Sequence, residues 1–154
     1  MKHILALDLG TTNVRAVLFD EAMRPVSTDE MEINVFYPKS GWVEQDPVEM
    51  ITKQLQVAKR VVDKSGVAEA SIAGIGVTNQ RETTILWNRD TGRPIGNAIV
   101  WQDRRTATIC DKVSKTGHAQ VIYNSTGLIL DPYFSASKIN WLMRNTPGLQ
   151  EAAK

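Results

Sequence analysis

Apolar residues gather in short runs at the start of the chain. Residues 3–9 (His-Ile-Leu-Ala-Leu-Asp-Leu) and 14–20 (Val-Arg-Ala-Val-Leu-Phe-Asp) each have the length and composition of a buried strand. Gly10-Thr11-Thr12-Asn13 between them is turn chemistry, so the pair predicts a β-hairpin. After Arg24-Pro25, residues 26–35 predict a third, more exposed strand and hence an antiparallel meander. The period then changes. Asp46 can cap a helix, Pro47 suits its first position, and Glu49 completes an Asp-x-x-Glu variant of the capping box. Ile51, Leu55, Ala58 and Val62 follow at helical spacing, predicting the buried stripe of an amphipathic helix that ends near Ser65-Gly66. Strand character returns over 71–78, 83–87 and 95–101. Further helices are predicted over about 103–117 and 134–145, separated by a polar connection with turn-like Thr126-Gly127 and Asp131-Pro132.

The order β-β-β-α-β predicts an α/β chain with a mixed sheet, and it departs from the alternating βαβ order of a Rossmann sheet. That bears on Gly74-Ile75-Gly76-Val77-Thr78-Asn79, which begins like a dinucleotide fingerprint but has Asn at its sixth position and a strand after it. Close backbone packing inside a strand is the expected role of these glycines. The chain has no Gly-x-x-x-x-Gly-Lys-Ser/Thr phosphate loop.

Composition narrows the function classes. With 154 residues, 42% hydrophobic and 23% charged, the chain is long enough to bury a core. Its 18 Lys and Arg against 17 Asp and Glu give a formal charge of +1, so no basic excess marks it for nucleic acid or anionic membrane. A single cysteine, Cys110, and two distant histidines exclude a disulfide framework and a Cys/His zinc cluster. Asp8 interrupts the first apolar run too early for a signal peptide, and no stretch approaches the ~20 apolar residues of a membrane helix. The expected location is therefore the cytoplasm, with Asn124-Ser125-Thr126 a coincidental sequon.

Four segments carry candidate chemistry. In Asp8-Leu9-Gly10-Thr11-Thr12-Asn13-Val14-Arg15, a tight turn offers backbone amides and two hydroxyls, and Gly10 admits a phosphate where a Cβ would obstruct it. Asp8 can hold Mg²⁺ and Arg15 can bring positive charge to the same phosphates; the plain alternative is a polar hairpin turn. In Thr78-Asn79-Gln80-Arg81-Glu82-Thr83-Thr84, Arg81 can donate to a ligand's oxygens and Glu82 can accept from its hydroxyls. A solvated connection with an idle ion pair reads equally well there. Trp101, in Val100-Trp101-Gln102-Asp103-Arg104-Arg105, is either core or the apolar wall behind a polyol, and Asp103 reads as an N-cap. Tyr133, in Leu130-Asp131-Pro132-Tyr133-Phe134-Ser135, offers a hydroxyl to a ligand or plugs a loop.

Together with Gly41-Trp42-Val43-Glu44-Gln45-Asp46-Pro47, these segments resemble the N-terminal part of the FGGY carbohydrate kinase family, in order and over nearly the whole chain. Asn79-Gln80-Arg81-Glu82-Thr83-Thr84 resembles the glycerol-phosphorylating branch more than the xylulose, ribulose and gluconate branches. The resemblance implies a ribonuclease-H-like, actin-like ATPase fold of two domains, with ATP and substrate in the cleft between them. Carried over by position, Gly10, Thr11, Thr12, Asn13 and Arg15 would meet the ATP phosphates, with Asp8 near Mg²⁺. Arg81, Glu82 and Tyr133 would hydrogen-bond glycerol, and Trp101 would face its carbons. The implied reaction is transfer of the γ-phosphoryl group to a terminal hydroxyl. The general-base aspartate of the family is expected beyond Lys154, so no residue of this chain is assigned as the base. Residues 1–154 are accordingly expected to be an N-terminal part of the first kinase domain, lacking the second, nucleotide-binding domain. The implied partners are glycerol, the remainder of the kinase and, in a homo-oligomer, further copies. A related sugar kinase and a non-catalytic actin-fold module remain the alternatives.

Overall fold

The structure, a computed structural model, describes residues 1–153. The chain divides into two compact units: residues 1–35, 45–80 and 87–97 form the first, and 36–44, 81–86 and 98–154 the second.

In the first unit, β1 (His3–Leu9), β2 (Asn13–Phe19) and β3 (Pro25–Glu32) make the expected antiparallel meander. The chain then runs through a helix, α1 (Pro47–Ser65), and a 3₁₀ turn (Glu69–Ser71) before it re-enters the sheet beside β1. That strand, β5 (Ile72–Thr78), is parallel to β1, so the sheet order is β3-β2-β1-β5. The sheet is therefore mixed, as the sequence predicts. Alternation along β2 buries Val14, Ala16 and Leu18 toward α1, leaving Asn13 and Arg15 on the other face. Full burial of side chains such as Leu18, Val57 and Val61 is worth ~1.5–3 kcal/mol each, which holds helix to sheet.

The Asp46 side chain accepts from Val48 N (2.8 Å), and Gly66 ends α1 at φ +66°. The buried stripe, however, is Met50, Gln54, Val57 and Val61, one residue before the expected row; Ile51 and Leu55 are exposed. Two parallel rows lie about 100° apart on a helix, and hydrophobicity favours the wrong one. The row facing the sheet includes Gln54, whose Nε2 donates to Arg15 O at 3.0 Å.

The second unit is mostly helical. β4 (Glu44–Gln45) and β6 (Ala98–Ile99) are two-residue strands, and within the second unit Val100 N donates to Val43 O (3.0 Å). The helices are α2 (Ala107–Ser114), α3 (His118–Thr126), α4 (Ser135–Asn145) and α5 (Leu149–Ala152). α4 matches its expected range closely.

Four expectations are corrected. The strand expected at 83–87 is reduced to isolated bridges, Thr84 to Ile99 and Trp87 to Pro94, because proline cannot donate to a ladder. The strand expected at 95–101 is only Ala98–Ile99. The helix expected from 103 begins at Ala107, and Asp103 is not its N-cap. Asp103 instead is buried, accepting from Val43 N (2.7 Å) and Arg105 N (2.8 Å) and pairing with the Arg105 guanidinium, which fixes the segment before α2 outside a helix. Residues expected to be a polar connection hold α3, set between Gly117 (φ +79°) and Gly127 (φ +73°).

The glycines of β5 also behave differently from expectation. A Cβ on Gly76 would meet no described atom within 4 Å, and one on Gly74 would make only an ordinary 3.6 Å contact with Ile4. No close backbone approach explains either.

Candidate functional site

The residues expected to meet phosphate all belong to the first unit. Register across the sheet sets Thr78, Asp8, Arg15 and Glu30 in one row: Asp8 is opposite Thr78 on one side and Arg15 on the other, and Arg15 is opposite Glu30. Directly opposed residues share a face, so the row alternates carboxylate, guanidinium, carboxylate. Arg15 is committed to the β3 side, with Nε 3.0 Å and Nη2 2.8 Å from Glu30 Oε2; Asn13 Nδ2 donates to the same oxygen (3.2 Å). Asp8 and Thr12 are exposed.

The turn between β1 and β2 is fixed from below. A Cβ on Gly10 would fall 2.8 Å from Asn13 O, so the turn's own carbonyl requires glycine there, whatever ligand approaches. Thr12 O accepts from Ile33 N at 2.9 Å. Two glutamines to which sequence reasoning assigned no role hold the other carbonyls. Gln80 Nε2 donates to Gly10 O (2.8 Å) and to Gln45 Oε1 (2.8 Å), while Gln45 Nε2 donates to Thr11 O (2.6 Å). Both glutamines are buried. Each stands inside a segment that the sequence marks, but spacing alone does not show which carbonyls their amides reach.

Arg81, Glu82, Trp101 and Tyr133 belong to the second unit. Arg81 is exposed, and Glu82 follows it with φ +65°, a left-handed conformation that non-glycine residues seldom adopt. Ser135 and Lys138 make the shorter contacts that hold Glu82 there. Its Oε2 accepts from Ser135 N and Ser135 Oγ, both at 2.8 Å, and its carbonyl accepts from Lys138 Nζ at 3.1 Å. None of these bonds uses Glu82 Oε1. Lys138 Nζ also donates to Tyr133 O, so one ammonium ties the Glu82 turn to the Tyr133 loop. Lys138 is 0% exposed; burial pushes its pKa down, against the opposing pull of the Glu82, Asp103 and Asp131 charges.

The aromatic wall is built on the same loop. Asp131 Oδ1 accepts from Tyr133 N (2.8 Å), while the Asp131 carboxylate receives Arg104 Nη1 on both oxygens at 3.1 Å. Tyr133 stands edge-on to Trp101 (5.8 Å between ring centroids) and to Phe134 (5.1 Å). Trp101 N donates to Thr83 Oγ1 at 3.2 Å, fixing the tryptophan to the segment that carries Glu82. Behind this wall, the Arg105 guanidinium lies 3.8 Å over Trp42 and 4.9 Å from Trp141, with Glu44 (2.7 Å) and Asp103 (2.9 Å) as its carboxylate partners. The structure thus brings Glu82 and the Tyr133 loop together through Ser135 and Lys138, to which sequence reasoning assigned no role. A lysine near the first turn of α4 was the available signal, but nothing in the spacing marks it as buried.

A partly exposed turn rich in amides and hydroxyls, with a carboxylate beside it, suits a phosphorylated ligand; a carboxylate, a guanidinium and an aromatic wall suit a small polyol. The family described as the FGGY family of carbohydrate kinases, N-terminal domain, matches residues 3–154. The chain belongs to that family. Among curated relatives it is 49% identical to glycerol kinase 2 of Thermotoga maritima over 154 residues, covering 100% of this chain and 31% of that one. It is 50% identical over 153 residues to glycerol kinase of Halorhodospira halophila, covering 99% of this chain and 30% of the relative. The chain thus spans about a third of the length of these relatives.

Two solved structures share its fold. Plasmodium falciparum glycerol kinase with ADP has a TM-score of 0.89 at 35% identity, over 98% of this chain and 30% of that one. Ligand-bound xylulose kinase of Lactobacillus acidophilus has a TM-score of 0.87 at 25% identity, over 98% and 30%. The fold is thus that of the FGGY kinases, the actin-like ATPase fold expected from the sequence. Among the described residues, no helix is long and apolar enough to cross a membrane.

Proposed function

We propose that this chain supplies the phosphate turn and the polyol pocket of an ATP-dependent glycerol kinase, within the N-terminal part of its first domain. The reaction is transfer of the ATP γ-phosphoryl group to a terminal hydroxyl of glycerol, giving sn-glycerol 3-phosphate. The observation that carries this reading is Glu82, held in a left-handed conformation by Ser135 and Lys138, with Oε1 outside those contacts and Arg81 beside it. Glu82 accepts from a glycerol hydroxyl, Arg81 and the Tyr133 hydroxyl donate to its oxygens, and Trp101 closes off the carbon side. Gly10 to Asn13 and Arg15 meet the phosphates. For Arg15 this means exchanging Glu30 for phosphate, a trade between two exposed anionic partners that costs little.

Asp8 is the residue for Mg²⁺. One exposed carboxylate suits an ion that keeps several waters and takes one or two carboxylates along with phosphate oxygens. When bound, the ion neutralises phosphate charge. The protein's own part is positioning, which makes the transfer effectively unimolecular. A homo-oligomer belongs to the same proposal, and sedimentation of the complete protein tests it.

Arg81→Ala in the complete protein tests the pocket. A hydrogen bond to a charged group is worth ~1.5–3 kcal/mol, so kcat/KM for glycerol falls by roughly tenfold or more while KM for ATP holds. An unchanged glycerol dependence with a raised KM for ATP would remove Arg81 from the pocket. The likeness to a xylulose kinase structure supports a second reading, a related sugar kinase taking a longer polyol. Glycerol competing poorly with xylulose on the complete protein favours that reading.

A further inference from the structure

We propose that Gln45 and Gln80 are positioning residues for the phosphate turn. Together they hold the carbonyls of Gly10 and Thr11 inward, and so aim the amides that follow these carbonyls outward at the phosphates. The proposal rests on the reading of this turn as the phosphate site.

In a trans peptide, a carbonyl and the N–H of the next residue point in opposite directions. Gln80 Nε2 fixes Gly10 O, so the Thr11 N–H heads away from Gln80; Gln45 Nε2 fixes Thr11 O, so the Thr12 N–H heads away from Gln45. With Thr12 O tied to Ile33 N, three successive peptide planes are set. A turn free to flip a plane would present a carbonyl oxygen, the negative end of the dipole, to an anionic ligand. Gly10 makes this a real hazard, because glycine tolerates backbone conformations that other residues resist. The glutamines remove that freedom without a side chain on the ligand's side.

The chemistry of the pair is specific. Backbone carbonyls only accept, so each glutamine must turn its NH₂ toward the turn. Gln80 gives both amide protons, one to Gly10 O and one to Gln45 Oε1, and Gln45 passes one on to Thr11 O. A glutamate at either position would set oxygen against oxygen, and a methionine would fill the space without donating. Gln45 is 0% and Gln80 7% exposed, and burying two amides is unfavourable unless their bonds are made. The pair works as one unit, since the Gln80 side chain bonds both the turn and Gln45.

The test uses Gln80→Met and Gln45→Met in the complete kinase, with Val61→Ala as a variant that loses packing in α1 away from the turn. KM for MgATP is expected to rise about five- to tenfold in each glutamine variant, with KM for glycerol within about twofold of the parent. The double variant is expected to cost no more than the worse single one. Val61→Ala lowers the melting temperature but leaves both KM values unchanged. Calorimetric binding of MgADP gives a second readout, and Gln80→Met, nearer the surface, carries the test if Gln45→Met does not fold. Glutamine variants that melt earlier yet keep the parent's KM for MgATP and affinity for MgADP would overturn the proposal. Arg15→Ala separates the two levels of failure. If it raises KM for MgATP and the glutamine variants do not, the latch alone falls. If none of the variants moves that constant, the phosphate assignment falls with it.

Discussion

Glu82 holds a left-handed backbone conformation that costs a non-glycine residue of order 1 kcal/mol or more. The offset comes from Lys138, whose buried ammonium donates to Glu82 O and Tyr133 O. Lys138→Met keeps most of the side-chain volume but removes the ammonium donor from Tyr133 O and leaves Glu82 O with only the longer bonds from Thr84 Oγ1 (3.4 Å) and Ser135 Oγ (3.5 Å). An unmade bond to a buried group costs ~1–3 kcal/mol, and a loss of about that size is expected by denaturant unfolding. In the complete protein the same variant is expected to raise KM for glycerol with KM for ATP unchanged, because Glu82 relaxes while the phosphate turn does not. A folded Lys138→Met protein with the parent's KM for glycerol would reduce Lys138 to core filling. At this scale the sequence marks a candidate where opposite charges are adjacent, as in Arg81-Glu82. It was not legible where a partner lies far along the chain, as Lys138 lies 56 residues after Glu82.

Elements were legible when a local signal stopped or started them. The hairpin, α1 and α4 follow from turn residues, a cap and helical spacing. The stripe on α1 was misread because tertiary contact chose the Gln54 row over the greasier one, and α3 was missed because none of its described residues is buried. The β2–β3 hairpin gives a pH prediction. Asp20 Oδ1 accepts from Ala22 N and Arg24 N (both 2.9 Å), and these bonds, the Arg24 amide foremost, hold its pKa below the ordinary 3.8. A carboxylate depressed in the folded state stabilises above its unfolded pKa and loses that contribution as pH falls through the folded value. The melting temperature is expected to be flat above about pH 5 and to fall below about pH 4, and Asp20→Asn is expected to flatten that fall. At the other side of the sheet, β5 pairs with β1 and carries Ile75 (62% exposed) and Val77 (73% exposed). Strand edges with exposed apolar residues template pairing between chains. A polypeptide of residues 1–154 is therefore expected to associate with rising concentration in sedimentation, and Val77→Lys to shift it toward monomer. A monomer at all concentrations in both forms would show that the edge is already protected.

At the scale of the whole molecule, the turn proposed for phosphate belongs to the first unit and the residues proposed for the polyol to the second. The family and its fold were legible in the sequence because motifs in order specify a topology, and the β3-β2-β1-β5 sheet matches it. The proposal assigns neither Arg81 nor Glu82 as the base for the reacting hydroxyl. A hydroxyl is a weak nucleophile until a positioned group takes its proton, a step worth ~10²–10⁴ in rate. Arg81 cannot accept a proton, because a guanidinium has no acceptor. Glu82 already accepts from Ser135 through Oε2, and its remaining oxygen is assigned to holding a hydroxyl in place rather than deprotonating it. A polypeptide of residues 1–154 is accordingly expected to show no glycerol-dependent ADP release with MgATP in a coupled assay, while the complete protein turns over. Glycerol-dependent release by residues 1–154 that disappears on Arg81→Ala, so that a contaminating kinase is excluded, would mean the base lies within this chain. Glu82→Gln would then name it: an amide preserves hydrogen bonds to glycerol but cannot take the proton, so a collapse in kcat at nearly constant KM would mark Glu82 as the base.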